Sequence, residues 1–188
     1  MIYGNYAQCY EERVIDLWNT CCTFDAIDVG KFRRQAIFDD NFDQKLSWVA
    51  REGDNVLGFA FGTKRKFPYL ERGLEPERGW VNVLFVDPSV RGTGVGVALL
   101  GRIEEELKAR GATSITLGAY SPSYFFAGID PVNYPEAVAF FEKQGYVAGD
   151  EHFSMGRDLH GYQVPQKTRE RQAALEEQGY RFRLFDYS

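Results

Sequence analysis

Between Asp87 and Leu100 the chain reads DPSVRGTGVGVALL, with Gly92, Gly94 and Gly96 at alternate positions beside Arg91. A buried strand should precede this stretch and a helix should follow it. The first turn of a helix leaves N–H groups without partners and is the partly positive end of its dipole. An anion there satisfies both, and glycines keep side chains from holding it off. Arg91 adds a planar, permanently charged donor. A glycine-rich turn with no ligand fits the same spacing, so spacing alone leaves both readings open. The stretch is not a dinucleotide fingerprint, because G-x-G-x-x-G is absent.

Other chemistries are short of residues. Only His152 and His160 occur, and no H-E-x-x-H, G-x-S-x-G or P-loop pattern is present, so no metal is expected. Cys9, Cys21 and Cys22 are odd in number and lack ligand spacing, which suits a reduced, cytoplasmic chain. Cys21 and Cys22 fall on the apolar side of a helix and read as packing residues. The net charge of −5 argues against nucleic acid or an anionic membrane as the main partner. The start, MIYGNYAQCYEE, has no signal-peptide pattern, and no apolar run reaches membrane-spanning length. Aromatic residues make up 15%, enough to line a groove as well as a core.

The elements that would position the glycines follow from periodicity. Val14, Leu17 and Trp18 form a stripe predicting a helix from Glu11 to Cys22, and a second helix is expected over Val29–Phe38. Residues 47–64 read as a hairpin about Gly53-Asp54-Asn55, and 65–79 as loop. WVNVLFV (80–86) is a strand buried on both faces. Leu99, Leu100, Ile103 and Leu107 keep helical spacing from Val95 to Arg110, and Gly111 stops the helix. A strand is expected over 113–120, then an aromatic loop, then a helix from Pro135 to a Gly145 stop, then a closing hairpin over 146–159. FFEKQGY (140–146) is echoed by ALEEQGY (174–180), which reads as two helices ending alike. The order implies an α/β sandwich around one mixed sheet.

On these residues the chain resembles a known family. LFVDPSVRGTGVGVALL (84–100) is similar to the acyl-CoA-binding segment of the GNAT N-acetyltransferase superfamily: an apolar strand, Asp-Pro, then Arg91-x-x-Gly94-x-Gly96 and a helix. AVAFFEKQGY resembles the family's closing helix. The resemblance covers about residues 2–159 and implies a mixed, largely antiparallel sheet flanked by helices, with the fourth and fifth strands splayed. It also implies that the pyrophosphate of acetyl-CoA rests on Arg91, Gly92, Thr93, Gly94, Val95 and Gly96. The pantetheine arm would pair with Leu84, Phe85 and Val86.

The likeness breaks at the acid and base. The family often has Glu where Asn82 stands, and an amide cannot take a proton, though it can orient water or acceptor. The family's thiolate-protonating Tyr corresponds to Phe141, here an apolar neighbour of the cofactor, and Tyr134 replaces the helix-start Asn. Three readings remain. The acceptor amine arrives neutral and positioning suffices; other groups serve, with Tyr120, Tyr124, Asp130 and Tyr134 near the acceptor end; or the chain binds acyl-CoA without turnover. YFFAGID (124–130) is either a plug over the sheet or an acceptor wall, with Phe125 and Asp130 facing the acceptor.

The expected protein is a transferase acting on a small-molecule amine, with residues 1–160 as the acetyltransferase domain. Residues 161–188 form a helix–strand extension docking on the sheet or, as YRFRLFDY, on a second subunit to make a homodimer.

Overall fold

The computed structural model describes residues 1–151 and 155–184. They fall into two compact units, Met1–Asp150 and Glu151–Ser188. In the first unit the elements are β1 (Ile2–Asn5), α1 (Glu11–Cys21), α2 (Val29–Phe32), β2 (Ser47–Glu52), β3 (Asn55–Thr63), β4 (Arg78–Val86), α3 (Val95–Ala109), β5 (Ser114–Leu117) and α4 (Pro135–Lys143). The second unit carries α5 (Gln166–Glu177).

One five-stranded sheet runs in the order β1-β2-β3-β4-β5, antiparallel up to β4 and parallel between β4 and β5. Its two faces bury different residues. Val14, Leu17 and Trp18 of α1 and Phe32 of α2 meet Phe59, Phe61, Val83 and Phe85 on one face. Leu99, Leu100, Ile103 and Leu107 of α3 meet Ala50, Ala60 and Val81 on the other. The helical stripes seen in the sequence therefore cover both faces of a single sheet. Glycine in the strands lets α3 lie close: a Cβ on Gly62 would stand 2.7 Å from Ile103 Cγ2 and 2.9 Å from the Trp80 carbonyl oxygen.

Several expectations are corrected. β1 adds an edge strand beside β2, pairing Ile2 with Arg51, which the sequence did not announce. Val29–Phe38 is helical through Ile37 as expected but changes its winding: Asp28 caps α2 by accepting from Lys31 N–H at 2.6 Å, and the helix then widens into a π turn over Arg33–Ile37. β5 stops at Leu117 because Gly118 (φ 61°) and Ala119 (φ 52°) turn left-handed. There the carbonyl of Phe126 takes the Ala119 N–H at 2.7 Å, so the aromatic loop ends the strand. No strand occurs among the described residues of 146–159, where a hairpin was expected; residues 152–154, His152 included, lie outside the described residues. Residues 180–184 are not a strand either, and 185–188 lie outside the described residues.

The echoed helix ends do match. Gly145 (φ 88°) and Gly179 (φ 92°) each follow their helix, with N–H bonds from Gly145 to Glu142 and from Gly179 to Glu176, both 2.9 Å. Tyr146 and Tyr180 then reach back to Phe141 and Leu175 at 3.1 Å, the paired bonds of a Schellman end.

Candidate active site

The site begins with a fault in β4. Phe61 pairs with Val83 and Gly62 with Val81, so Asn82 is an extra residue on β4, a bulge. Beyond it β4 and β5 part company. Their pairing ends at Val81 and Leu117, with a last bond from Gly118 N–H to the Val81 carbonyl at 2.8 Å. β4 continues to Val86 with β3 on one side only. Asp87 N–H donates to the Leu57 carbonyl at 2.9 Å. By alternation Val83 and Phe85 turn their backbone groups to β3, while Leu84 and Val86 turn theirs to the open edge. The Val86 carbonyl already accepts from Arg91 Nε at 3.1 Å and from Cys21 Sγ at 3.4 Å.

At the far end of that edge the glycine turn is open. Gly94, with φ 92°, caps α3, and Gly92 has φ 76°. A Cβ at either position would meet nothing within 4 Å. Among the described residues, none of the backbone N–H groups from Gly92 to Val97 finds an acceptor at hydrogen-bond geometry; the first is Ala98, bonded to Gly94 at 2.9 Å. Thr93 Oγ1 folds back onto the Val90 carbonyl at 2.7 Å and Asp87 clamps Ser89, which fixes the turn from within. The result is a row of unpartnered donors at the partly positive end of a 15-residue helix, an anion cradle. Gly96 packs its α-carbon side against Phe140, bringing α4 up to the cradle. Phe141 is buried edge-on to Phe140 and Tyr146, with ring centroids 5.0 and 5.3 Å away.

Asn82, at the point of divergence, is buried. Its Nδ2 donates to Thr63 Oγ1 at 2.6 Å, while its Oδ1 has no partner among the described residues.

The hydroxyls singled out in the sequence lie in different surroundings. Tyr120 is buried, its hydroxyl donating to Asp39 Oδ1 (3.0 Å) and accepting from Asn41 Nδ2 (2.8 Å); burial, then the Asp39 charge, pushes its pKa well up. Tyr134 donates to Asp25 Oδ2 at 2.8 Å and accepts from Phe24 N–H at 3.2 Å, and burial with the Asp25 bond raises its pKa too. Tyr124 is half exposed, and its carbonyl accepts from Gln35 at 2.9 Å. Phe125 and Phe126 press on Trp18, with centroids 4.8 and 5.6 Å away, as a plug does. Asp130 accepts from the N–H groups of Asn133 and Val132 and from Asn133 Nδ2; those amides hold its carboxyl below the usual range and staple the loop. Cys22 is partly buried and its thiol is pushed up to about 12, mainly by burial, which fits packing rather than reactivity.

Sequence reasoning passed over Asp39, Asn41, Thr63 and Arg65, which surround Tyr120 and Asn82. The signal was slight: Arg65 continues the period-two pattern of β3 beyond Thr63, inside a charged run read as loop.

A bulged fourth strand, a splayed fifth and a glycine cradle opening a helix make this an N-acetyltransferase type of fold. A profile of the Acetyltransferase (GNAT) family matches residues 11–146. The chain is 28% identical over 148 residues to the acetyltransferase SG1711 of Sodalis glossinidius, covering 79% of this chain and 88% of that one. A glucosamine N-acetyltransferase region in a fungal multi-domain β-N-acetylglucosaminidase superposes with a TM-score of 0.71 at 26% identity over 92% of this chain. The chain spans 20% of that fungal chain. A predicted acetyltransferase from Clostridium acetobutylicum, solved with acetyl-CoA, shares the fold with a TM-score of 0.55 at 18% identity, covering 87% of this chain and 99% of that one. The chain therefore belongs to the GNAT family of acetyltransferases.

Proposed function

We propose that the chain moves acetyl from acetyl-CoA directly to the primary amine of a small molecule. The observation that carries this reading is the row of unpartnered N–H groups from Gly92 to Val97 beside the open edge of β4. Bound acetyl-CoA supplies an activated thioester. The amides of Gly92–Gly96 hold its diphosphate beside the Arg91 side chain, and Leu84 with the N–H of Val86 offers the backbone edge for the pantetheine amides. Phe85 anchors β4 through Trp18 and Phe59, and Phe141 backs the site as an apolar wall. Asn82 Oδ1 accepts a hydrogen bond from the amine or its water, with Thr63 fixing the amide.

Tyr120 and Tyr134 have committed hydroxyls, so we assign them to framework rather than proton transfer. Tyr124 stays a candidate at the acceptor end. No group in this set acts as base, so rate comes from positioning a neutral amine against a good leaving group. A small-molecule acceptor is supported by the likeness to the fungal glucosamine N-acetyltransferase region. The unpaired thiols of Cys9, Cys21 and Cys22 support a reducing, cytoplasmic setting. A silent acyl-CoA-binding module is the second reading, favoured by Asn82 and Phe141 standing where the acid–base pair is expected.

Thiol release from acetyl-CoA across a panel of amines decides between them: turnover with at least one amine is expected, and saturable binding with no turnover selects the silent module. Asn82→Ala should lower kcat about tenfold, the worth of one hydrogen bond of ~1.4 kcal/mol, while coenzyme A affinity holds. Equal losses in both would make Asn82 a packing residue.

A further inference from the structure

Where β4 and β5 part, three buried polar atoms have no partner among the described residues: Asn82 Oδ1 and both terminal nitrogens of Arg65. The Arg65 side chain is 1% exposed. Its Nε donates to Glu75 Oε2 at 2.8 Å, and its Cζ lies 4.9 Å from the ring centroids of Trp80 and Tyr120 and 5.1 Å from that of Tyr69. Glu75 also bonds Arg78 at 2.7 Å, so one carboxylate offsets two guanidiniums. Aromatic faces attract the cation but are weak acceptors for its N–H groups. Leaving buried donors unmet is costly, and more so when they are charged.

Arg65 and Asn82 share a face of the sheet. Thr63 pairs with Trp80 across the strands and bonds Asn82 through its hydroxyl, and Arg65 lies over Trp80. Arg65 is two residues on from Thr63, a strand distance of roughly 7 Å. A fork of two donors thus stands several bonds' length from a single acceptor at the divergence of β4 and β5.

We propose that the acceptor carries a carboxylate as well as its amine: Arg65 takes the carboxylate through its terminal nitrogens, and Asn82 Oδ1 takes an N–H of the amine. The inference rests on the transfer reading above and narrows its substrate class to amino acids whose amine and carboxylate are several bonds apart. In the reaction the amine nitrogen bonds the acetyl carbon, the thioester C–S bond breaks, and the amine's proton ends on the released thiol or in water. Tyr69 must move aside to admit the carboxylate. It sits in the 67–77 segment between β3 and β4, where Phe67, Leu70 and Leu74 are exposed and Leu70 (φ 47°) and Glu75 (φ 46°) are left-handed.

The test compares acceptors in pairs differing only in the carboxylate: 6-aminohexanoate with pentylamine, and lysine with 1,5-diaminopentane, glucosamine being included as a neutral acceptor. Wild type should use the carboxylate member with kcat/KM about 30- to 100-fold higher, the range of a charged hydrogen bond or pair. Arg65→Gln should erase that preference by raising KM for the carboxylate member alone, and Arg65→Lys should restore part of it. Equal use of both members by wild type, or parallel loss on both in Arg65→Gln, overturns the proposal, as does glucosamine outperforming both acids. If Arg65→Gln does not fold, thermal shift of the wild-type chain by 6-aminohexanoate against pentylamine reads the same preference: a larger shift with the acid supports the proposal, and equal shifts overturn it. Thermal shift needs no turnover, so the two readings fail separately: coenzyme A binding without thiol release defeats the transfer, while the carboxylate-dependent shift still tests for a carboxylate site.

Discussion

Gly94→Glu abolishes measurable coenzyme A binding while leaving the chain folded. Gly94 has φ 92°, so any side chain there carries backbone strain of about 1–2 kcal/mol. Its Cβ would point into open space, with no neighbour within 4 Å to displace. A carboxylate at that place faces the diphosphate. Two like charges ~4 Å apart near a protein surface repel by about 4 kcal/mol, close to a thousandfold in affinity. Gly94→Ala is the control, because it keeps the strain and omits the charge. It should weaken binding by at most about tenfold, one decade per ~1.4 kcal/mol, and only so far as the free turn relaxes out of the strained conformation and binding must restore it. Titration calorimetry of the three proteins checks this, and matched affinities for wild type and Gly94→Glu would remove the loop from the site.

The largest effect on stability is expected at Trp18. It is fully buried, its indole N–H donates to the Asp25 carbonyl at 2.9 Å, and it packs on Phe85, Phe125 and Phe126. Trp18→Ala should cost about 3–5 kcal/mol through lost burial and the cavity left behind. That is a large fraction of the roughly 5–15 kcal/mol that holds a domain together. The midpoint of urea unfolding should fall accordingly, with Trp18→Phe recovering part of the loss. A shift no larger than that of a surface substitution would show that the aromatic loop does not close on α1 as described.

These predictions draw on features of unequal visibility in the sequence. The amphipathic stripe of α1, the β2–β3 hairpin and the apolar run of β4 are local patterns, and each folds where periodicity puts it. The cradle is legible for the same reason, since strand, glycines and helix are contiguous. Long-range partners are not written in local pattern. Tyr120 and Tyr134 look like free acids until Asp39 and Asp25 are brought against them. β5 is shorter than its β-rich run because the Phe126 carbonyl, seven residues on from Ala119, captures the Ala119 amide. β1 is missed because IYGN has neither length nor alternation, and pairing with β2 alone makes it a strand. Arg65 hides in a charged run, and only the fold reveals it as a buried cation among three rings.

The claim on which the rest depends is that backbone amides between β4 and α3 grip the diphosphate of coenzyme A. Amide chemical shifts read this directly when ¹⁵N-labelled protein is titrated with coenzyme A. The account predicts saturable shifts largest at Gly92, Gly94 and Gly96, with Leu84 and Val86 next and the far sheet edge at Ile2–Asn5 still. Shifts that never saturate, or that leave the three glycine amides unmoved while others respond, would contradict it.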